Sequence, residues 1–171
     1  MRYAWLVGIL LVVGGAPGFS ETGRAAIKGT AEGSAITGVA MLVEIPSGLK
    51  VIVQVANVPP GKHGLHIHRY GSCAEQGNGA GGHYNPAGVK HGFLPTDGFA
   101  GAHAGDFGNL EVNENGLGAL ELTIPDLTIS QGPHPVAGRA IVLHEKPDDF
   151  GQPTGNAGGR IGCGPIVITS E

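Results

Sequence analysis

Residues 39–55 read VAMLVEIPSGLKVIVQV and carry the clearest secondary-structure signal in the chain. Its two runs, 39–43 and 51–55, are apolar and rich in Val and Ile, which favour a pleated, half-buried strand. Between them lies Pro46-Ser47-Gly48, a combination typical of turns. Two such runs around a short turn predict an antiparallel hairpin.

Further short segments of the same character follow along the chain. None has the 3.6-residue period of a long amphipathic helix. Short strands separated by turns predict an all-β fold, either a sandwich or a barrel with Greek-key connections. The other predicted strands are 63–68, 110–112, 119–123, 140–143 and 166–168.

The composition is that of a single globular domain. Of the 171 residues, 41% are hydrophobic and 14% are charged, and the 32 glycines indicate many turns. A chain of this length rarely divides into more than one domain. The formal net charge is -4 and no run of Lys or Arg occurs. Nucleic acid is therefore not expected as a partner, nor is stable association with an anionic membrane surface, because both require a clustered basic surface.

Residues 1–20 are predicted to be a signal peptide. Arg2 supplies a positive charge, residues 4–13 are mostly apolar, and Gly18-Phe19-Ser20 offers small residues for cleavage. A membrane anchor is the alternative, but the apolar run is shorter than the roughly 20 residues that span a bilayer. The mature domain is then expected to be 21–171, exported to the periplasm or the extracellular space.

The chain has two cysteines, Cys73 and Cys163. In an exported protein, an even pair is most simply interpreted as one disulfide, and two free buried thiols are the alternative.

Two Gly-rich stretches, 71–108 and 148–159, have neither a strand period nor a helix period. Long loops without regular structure are uncommon in compact domains unless they are functional, because ordering them costs conformational entropy. The first stretch contains Cys73 and several metal-binding side chains. A metal ion together with a disulfide would therefore hold it in place.

All eight histidines lie between residues 63 and 144. His66 and His68 are separated by one residue on a predicted strand, so both imidazoles share a face and form a two-point clamp for a metal ion. An isolated pair of this kind is a weak signal, and two exposed strand histidines are the alternative.

The stretch 71–108 supplies a second candidate set with three nitrogens and one oxygen. Such a tetrahedral donor set suits structural zinc. Its members are His83, His91, His103 and Asp106.

His144 ends a predicted buried strand and can join His66 and His68. If His83 belongs to one set only, the other set lacks a ligand. We therefore hypothesise that His83 presents one ring nitrogen to each of two metals, as a bridging imidazolate. A set of four nitrogens suits copper, which tolerates a distorted square geometry and cycles between two oxidation states.

Five segments together resemble the copper-zinc superoxide dismutase family in its exported bacterial form. They cover nearly all of residues 21–171, in order and with appropriate spacing. The segments are HGLHIH at 63–68, GHYNP at 82–86, HAGD at 103–106, GRAIVLHEKPDD at 138–149 and GNAGGRIGCG at 155–164.

The resemblance implies an eight-stranded Greek-key β-barrel, related to the immunoglobulin-like sandwich, with two long functional loops. It implies one copper and one zinc per chain, with His83 bridging them. It also implies that Asp148 hydrogen-bonds a ligand from each metal site, that Arg160 lies beside the copper, and that Cys73 and Cys163 form the intrasubunit disulfide. The implied copper ligands are His66, His68, His83 and His144, and the implied zinc ligands are His83, His91, His103 and Asp106.

The reaction implied by the resemblance is disproportionation of superoxide to oxygen and hydrogen peroxide, as a defence against extracytoplasmic superoxide. Arg160 would attract and hold the anionic substrate, and His83 would deliver a proton. His63 is expected to be structural and His134 to be a surface residue. The same fold also occurs as copper-delivery and non-catalytic metal-binding modules, and both a monomer and a homodimer remain open.

Overall fold

The computed structural model describes residues 20–169. Within this range the chain forms ten strands, a short α-helix, α1 (Leu94–Gly101), and a 3₁₀ helix at Asn78–Ala80. No helix there is long and apolar enough to cross a membrane. The strands are β1 (Thr22–Gly29), β2 (Thr37–Ile45), β3 (Gly48–Ala56), β4 (Gly61–His68), β5 (Asp106–Val112), β6 (Gly118–Ile124), β7 (Leu127–Thr128), β8 (His134–Pro135), β9 (Ala140–His144) and β10 (Arg160–Thr169).

Eight of these strands close into an antiparallel barrel, in the order β1-β10-β9-β4-β5-β6-β3-β2. The connections from β3 to β4 and from β6 to β9 join strands that are not neighbours, as in a Greek key. The short pair β7–β8 lies within the second of these connections. The predicted all-β fold, an eight-stranded Greek-key barrel, is confirmed.

The hairpin predicted from residues 39–55 is formed by β2 and β3. Their register runs from Thr37 opposite Ala56 to Ile45 opposite Gly48. Gly48 has a positive φ of 129°, and a Cβ atom there would lie 2.2 Å from the carbonyl oxygen of Ile124. Only glycine fits at this end of the turn, because any side chain would clash with the neighbouring strand.

β1 is the one barrel strand that the sequence pattern did not reveal. It alternates correctly, with Ala25 and Ile27 buried and Arg24, Ala26 and Lys28 exposed. Because alanine occurs on both faces, the difference in hydrophobicity between the faces is too small to detect in the sequence. The strand pairs with β2 on one side and β10 on the other, and it thereby closes the barrel.

The barrel encloses one main hydrophobic core. Strands contribute Leu42, Leu49, Leu65 and Ile141, each with no exposed surface, and Phe107 is 1% exposed. Branched side chains from facing strands fill the interior as in other small barrels. The polar side chains of the candidate site lie on the outside of this core, under the two long loops.

The stretch 71–108, predicted to lack a regular period, is mostly loop but contains α1, and its last residues already belong to β5, which starts at Asp106. Cys73 and Cys163 form a disulfide with a sequence separation of 90 residues. The bond ties the start of this loop to β10. The predicted disulfide is therefore confirmed.

Neighbouring residues of β2 offer a test of the core. Leu42→Ala is expected to lower the free energy of unfolding by about 2–5 kcal/mol, because it leaves a cavity in a fully buried position. Met41→Ala, at a position that is 45% exposed, should change it by less than about 0.5 kcal/mol. Urea unfolding of both variants measures the difference, and equal effects would contradict the strand orientation described here.

Candidate metal centre

The structure gathers seven predicted metal-binding residues into two buried clusters that share His83. In each cluster the potential ligand atoms lie within 4.8 Å of one another. The first cluster is His66, His68, His83 and His144, and the second cluster is His83, His91, His103 and Asp106.

Strand alternation places the first cluster on the outer face of the barrel. Leu65 and Ile67 of β4 point into the core, so His66 and His68 point to the opposite face. Their ring centres lie 6.4 Å apart. β9 pairs with β4 and ends at His144, which brings the third imidazole to the same place. The prediction that His66 and His68 share a strand face is consistent with this geometry.

The ring nitrogens of His68 and His144 face each other. Nδ1 of His68 donates a hydrogen bond to the Gly81 carbonyl oxygen at 2.8 Å, and Nδ1 of His144 donates one to that of Gly158 at 3.3 Å. A neutral imidazole has a single N–H, so both Nε2 atoms carry a lone pair. These atoms lie 3.2 Å apart, an arrangement that favours a cation between them.

The second cluster is built around the carboxylate of Asp106, the first residue of β5. Its Oδ1 lies 2.9 Å from Nδ1 of His83 and 3.2 Å from Nδ1 of His103, and its Oδ2 lies 2.8 Å from Nδ1 of His91. Three Nδ1 atoms and one carboxylate therefore converge. Such a set can provide the tetrahedral nitrogen and oxygen donors that zinc favours.

His83 lies between the two clusters. Its ring centre is 4.1 Å from that of His66 on one side, and 5.3 Å and 5.4 Å from those of His91 and His103 on the other. Because Nδ1 of His83 faces Asp106, Nε2 is the nitrogen left for the first cluster. The ring can thus present one nitrogen to each cluster.

Among residues 20–169, two buried ring nitrogens have no hydrogen-bond partner, namely Nδ1 of His66 and Nδ1 of His91. The latter is close to Asp106 Oδ2, but without the alignment of a hydrogen bond. Leaving a buried polar atom unpaired is costly, and metal coordination would satisfy both atoms. One orphaned nitrogen belongs to each cluster, so the residues present fit two metal ions.

Asp148 connects the two clusters, because its carboxylate bonds one ring of each. Its Oδ2 accepts a hydrogen bond from Nε2 of His66 at 2.8 Å, and its Oδ1 accepts one from Nε2 of His91 at 2.9 Å. Asn109 holds the backbone of Asp148, donating to its carbonyl oxygen at 2.9 Å and accepting from its N–H at 2.7 Å. The carboxylate therefore orients one ring of each cluster and leaves both Nδ1 atoms free.

His68, His83 and His144 of the first cluster are held in the form that binds metals. Burial, reinforced by neighbouring imidazoles, lowers the pKa of His68 to about 2 and that of His144 to about 3. Burial also lowers the pKa of His83 to about 4, although a hydrogen bond with Asp106 acts in the opposite direction. At neutral pH these rings are uncharged, as metal ligands must be.

The second cluster is a buried anionic site. Burial opposes the charged form of His91, but the nearby carboxylates of Asp106 and Asp148 outweigh it and raise the pKa of His91 to about 9. Burial also opposes ionisation of Asp106, yet hydrogen bonds from the cluster's histidines hold its pKa well below the usual range. The carboxylates of Asp106 and Asp148 on either side of His91 attract positive charge. A divalent cation would take the place of the proton that His91 otherwise holds.

Arg160 is the first residue of β10 and pairs with His144. Its guanidinium donates hydrogen bonds to the carbonyl oxygens of Gly77 and Gly81, the latter at 2.6 Å. The Gly81 carbonyl oxygen also accepts from His68. Loop carbonyls therefore hold the positive charge of Arg160 beside the first cluster.

Comparison with known proteins places this site in a family. Residues 36–166 match the family model described as copper/zinc superoxide dismutase. The chain belongs to this family. A solved structure of the clock protein EA4 is 33% identical and superposes with a TM-score of 0.77, covering 92% of this chain and 100% of that one. The resemblance seen in the sequence is thereby confirmed at the level of the superoxide dismutase family.

Two histidines lie outside both clusters. His63 is buried, with Nδ1 2.8 Å from the His144 carbonyl oxygen and Nε2 2.9 Å from that of Pro59, which agrees with a structural role. His134 is half-buried and stacks on Phe99 of α1, with ring centres 3.7 Å apart. The expectation of a plain surface residue missed this contact, because nothing in the sequence pairs these two side chains.

Two polar residues at the site escaped the sequence analysis. Asn109 holds Asp148, as described above, and Gln152 contacts the backbone of His91. Neither has a ligating side chain, and neither lies in a pattern that marks a site.

The bond pattern of Asp148 yields a prediction. Asp148→Asn can accept from only one of His66 and His91, because its second atom is an NH₂ donor, so one ring loses its fixed orientation. Metal affinity should fall by about 10- to 100-fold. Competition with a chelator for Zn²⁺ and Cu²⁺ measures the change. Asp149→Asn is the matched control, and equal affinities of the two variants would contradict this role.

Proposed function

We propose that the protein is an exported superoxide dismutase that disproportionates superoxide to oxygen and hydrogen peroxide and protects against extracytoplasmic superoxide. The observation that supports this best is the position of His83, which belongs to both buried clusters. A ring that serves two clusters of different donor chemistry suits two different metals.

The donor sets support one copper and one zinc per chain. Four imidazole nitrogens in the first cluster, from Nδ1 of His66 and Nε2 of the other three rings, suit copper. Three nitrogens and a carboxylate oxygen in the second cluster suit zinc. When bound, copper supplies one-electron chemistry, by which two superoxide anions and two protons become oxygen and hydrogen peroxide.

Arg160 is proposed to bring in and hold the anion. The chain carries a formal charge of -4, so a local positive charge is needed to draw a small anion to this site. A guanidinium has five N–H donors, and its bonds to the carbonyl oxygens of Gly77 and Gly81 leave others free. These bonds fix the plane of the group, which lets it hold a dioxygen species in a defined orientation.

His83 is proposed to supply a proton to the product. Its Nδ1 faces Asp106, whose carboxylate keeps the ring in place on the side of the second cluster. Its Nε2 lies on the side of the first cluster and is the atom that would carry the proton.

Export is supported by the disulfide between Cys73 and Cys163, which is typical of oxidising compartments. The predicted signal peptide, residues 1–20, lies outside the described residues apart from Ser20, and stays a prediction together with its cleavage site and the domain 21–171. A homodimer also stays a prediction.

Metal content and turnover test the proposed function together. Purified protein reconstituted with both metals should hold about one copper and one zinc per chain and consume superoxide in a cyanide-sensitive manner. A protein that holds both metals without turnover would instead be a copper-delivery or other non-catalytic module, as the likeness to a clock protein allows. Copper far below one per chain would indicate a zinc-only domain.

The role of Arg160 yields a further prediction. Arg160→Ala should keep both metals but lose about 10-fold or more in rate at low ionic strength, because the anion is no longer attracted. Arg160→Lys keeps the charge but not the planar donors, so its rate should lie between those of the unchanged protein and Arg160→Ala. Arg69→Ala is the control, since it removes the same charge at an exposed position. An unchanged rate in Arg160→Ala would refute the steering role.

A further inference from the structure

The side chain of Gln152 pairs with the backbone of His91. The His91 N–H donates to Oε1 of Gln152 at 3.1 Å, and Nε2 of Gln152 donates to the His91 carbonyl oxygen at 2.9 Å. The primary amide thus forms two hydrogen bonds to one residue, in the way that a neighbouring strand would.

His91 needs these bonds. It is 2% exposed, and a buried backbone N–H or C=O without a partner is strongly disfavoured. Within residues 20–169, neither backbone group of His91 has another hydrogen-bond partner. The next N–H along the chain, that of Gly92, is held by Asp106 Oδ2 at 3.0 Å. The N–H and C=O groups of His91 itself therefore depend on Gln152 for their hydrogen bonds.

Gln152 and Asp148 act on His91 from the same loop, 148–159. Asp148 holds the ring at Nε2, and Gln152 holds the main chain. A ring fixed at one nitrogen can still move if its backbone shifts. Fixing both leaves Nδ1, the buried atom without a hydrogen-bond partner, directed at the other second-cluster donors.

We propose that Gln152 is a positioning residue for His91, and that its amide slows the release of the metal ion held by the second cluster. The proposal rests on the proposed function only in requiring that this cluster binds a divalent cation. Gln152 itself is exposed and contributes no ligand. It acts by keeping a ligand in place, as outer hydrogen-bond partners of metal sites do.

Three variants of the full-length, zinc-loaded protein test the proposal. Gln152→Ala removes both hydrogen bonds. Gln152→Glu has the same shape and keeps an acceptor for the His91 N–H, but turns an oxygen towards the His91 carbonyl oxygen. Asp149→Ala is the matched control: it removes the hydrogen bonds that Gly151 and Asn156 donate to the Asp149 carboxylate within the same loop, and Asp149 belongs to neither cluster.

The readout is the rate of Zn²⁺ release into excess chelator, followed by a coloured indicator, together with the visible spectrum of protein loaded with Co²⁺ in place of zinc. Gln152→Ala and Gln152→Glu should both release Zn²⁺ about 10-fold faster than the unchanged protein, with an altered Co²⁺ spectrum. Asp149→Ala should change the rate by less than about 2-fold. The melting temperature of each metal-free protein separates these effects from a general loss of stability.

Release from Gln152→Glu at the unchanged rate would overturn the proposal, because the side chain would then only fill space. Equal acceleration in Asp149→Ala would also overturn it, since loop stability alone would then set the rate. The readout does not depend on turnover. If the unchanged protein binds Zn²⁺ but consumes no superoxide, the proposed function fails while the role of Gln152 can still stand.

Discussion

The buried ring of His83 lies between two clusters of donors, and the rest of the site is arranged around this contact. Imidazole nitrogens and carboxylate oxygens are costly to bury unless each has a partner. Four rings have a hydrogen-bond partner on one ring nitrogen. Asp148 accepts from His66 and His91, and loop carbonyl oxygens accept from His68 and His144. The atoms that remain without a partner point towards the places where cations would lie.

The barrel strands and the loops hold the metal-binding side chains in different ways. β4 and β9 carry His66, His68 and His144 on paired strands, so these rings are held by the sheet itself. His83, His91 and His103 come from the loop before β5, which packs Tyr84, Leu94, Ala102 and Ala104 into the core. The disulfide and the hydrogen bonds of Asp106, Asp148 and Gln152 add to this packing and hold the polar side of the loop. His83 belongs to both clusters and thus connects the rings held by the sheet with those held by the loop.

Much of the fold could be predicted because period-2 alternation is strong where one face meets the core. The hairpin of β2 and β3 is the clearest example. β1 escaped detection because alanine occurs on both of its faces, and α1 escaped because a helix of eight residues containing Pro and Gly has no apolar stripe. Asn109 and Gln152 escaped for a different reason: an amide that pairs with a distant backbone leaves no local pattern.

The sequence alone determined which donors exist and which segments form strands, because side-chain chemistry and alternation are local properties. Its His-x-His spacing also determined that two rings share a strand face. Only the tertiary structure decided that His83 contacts both clusters, that one carboxylate serves His66 and His91, and that a loop amide holds His91. These contacts join residues up to 82 positions apart, and their geometry follows from strand register and loop closure, which no local pattern specifies.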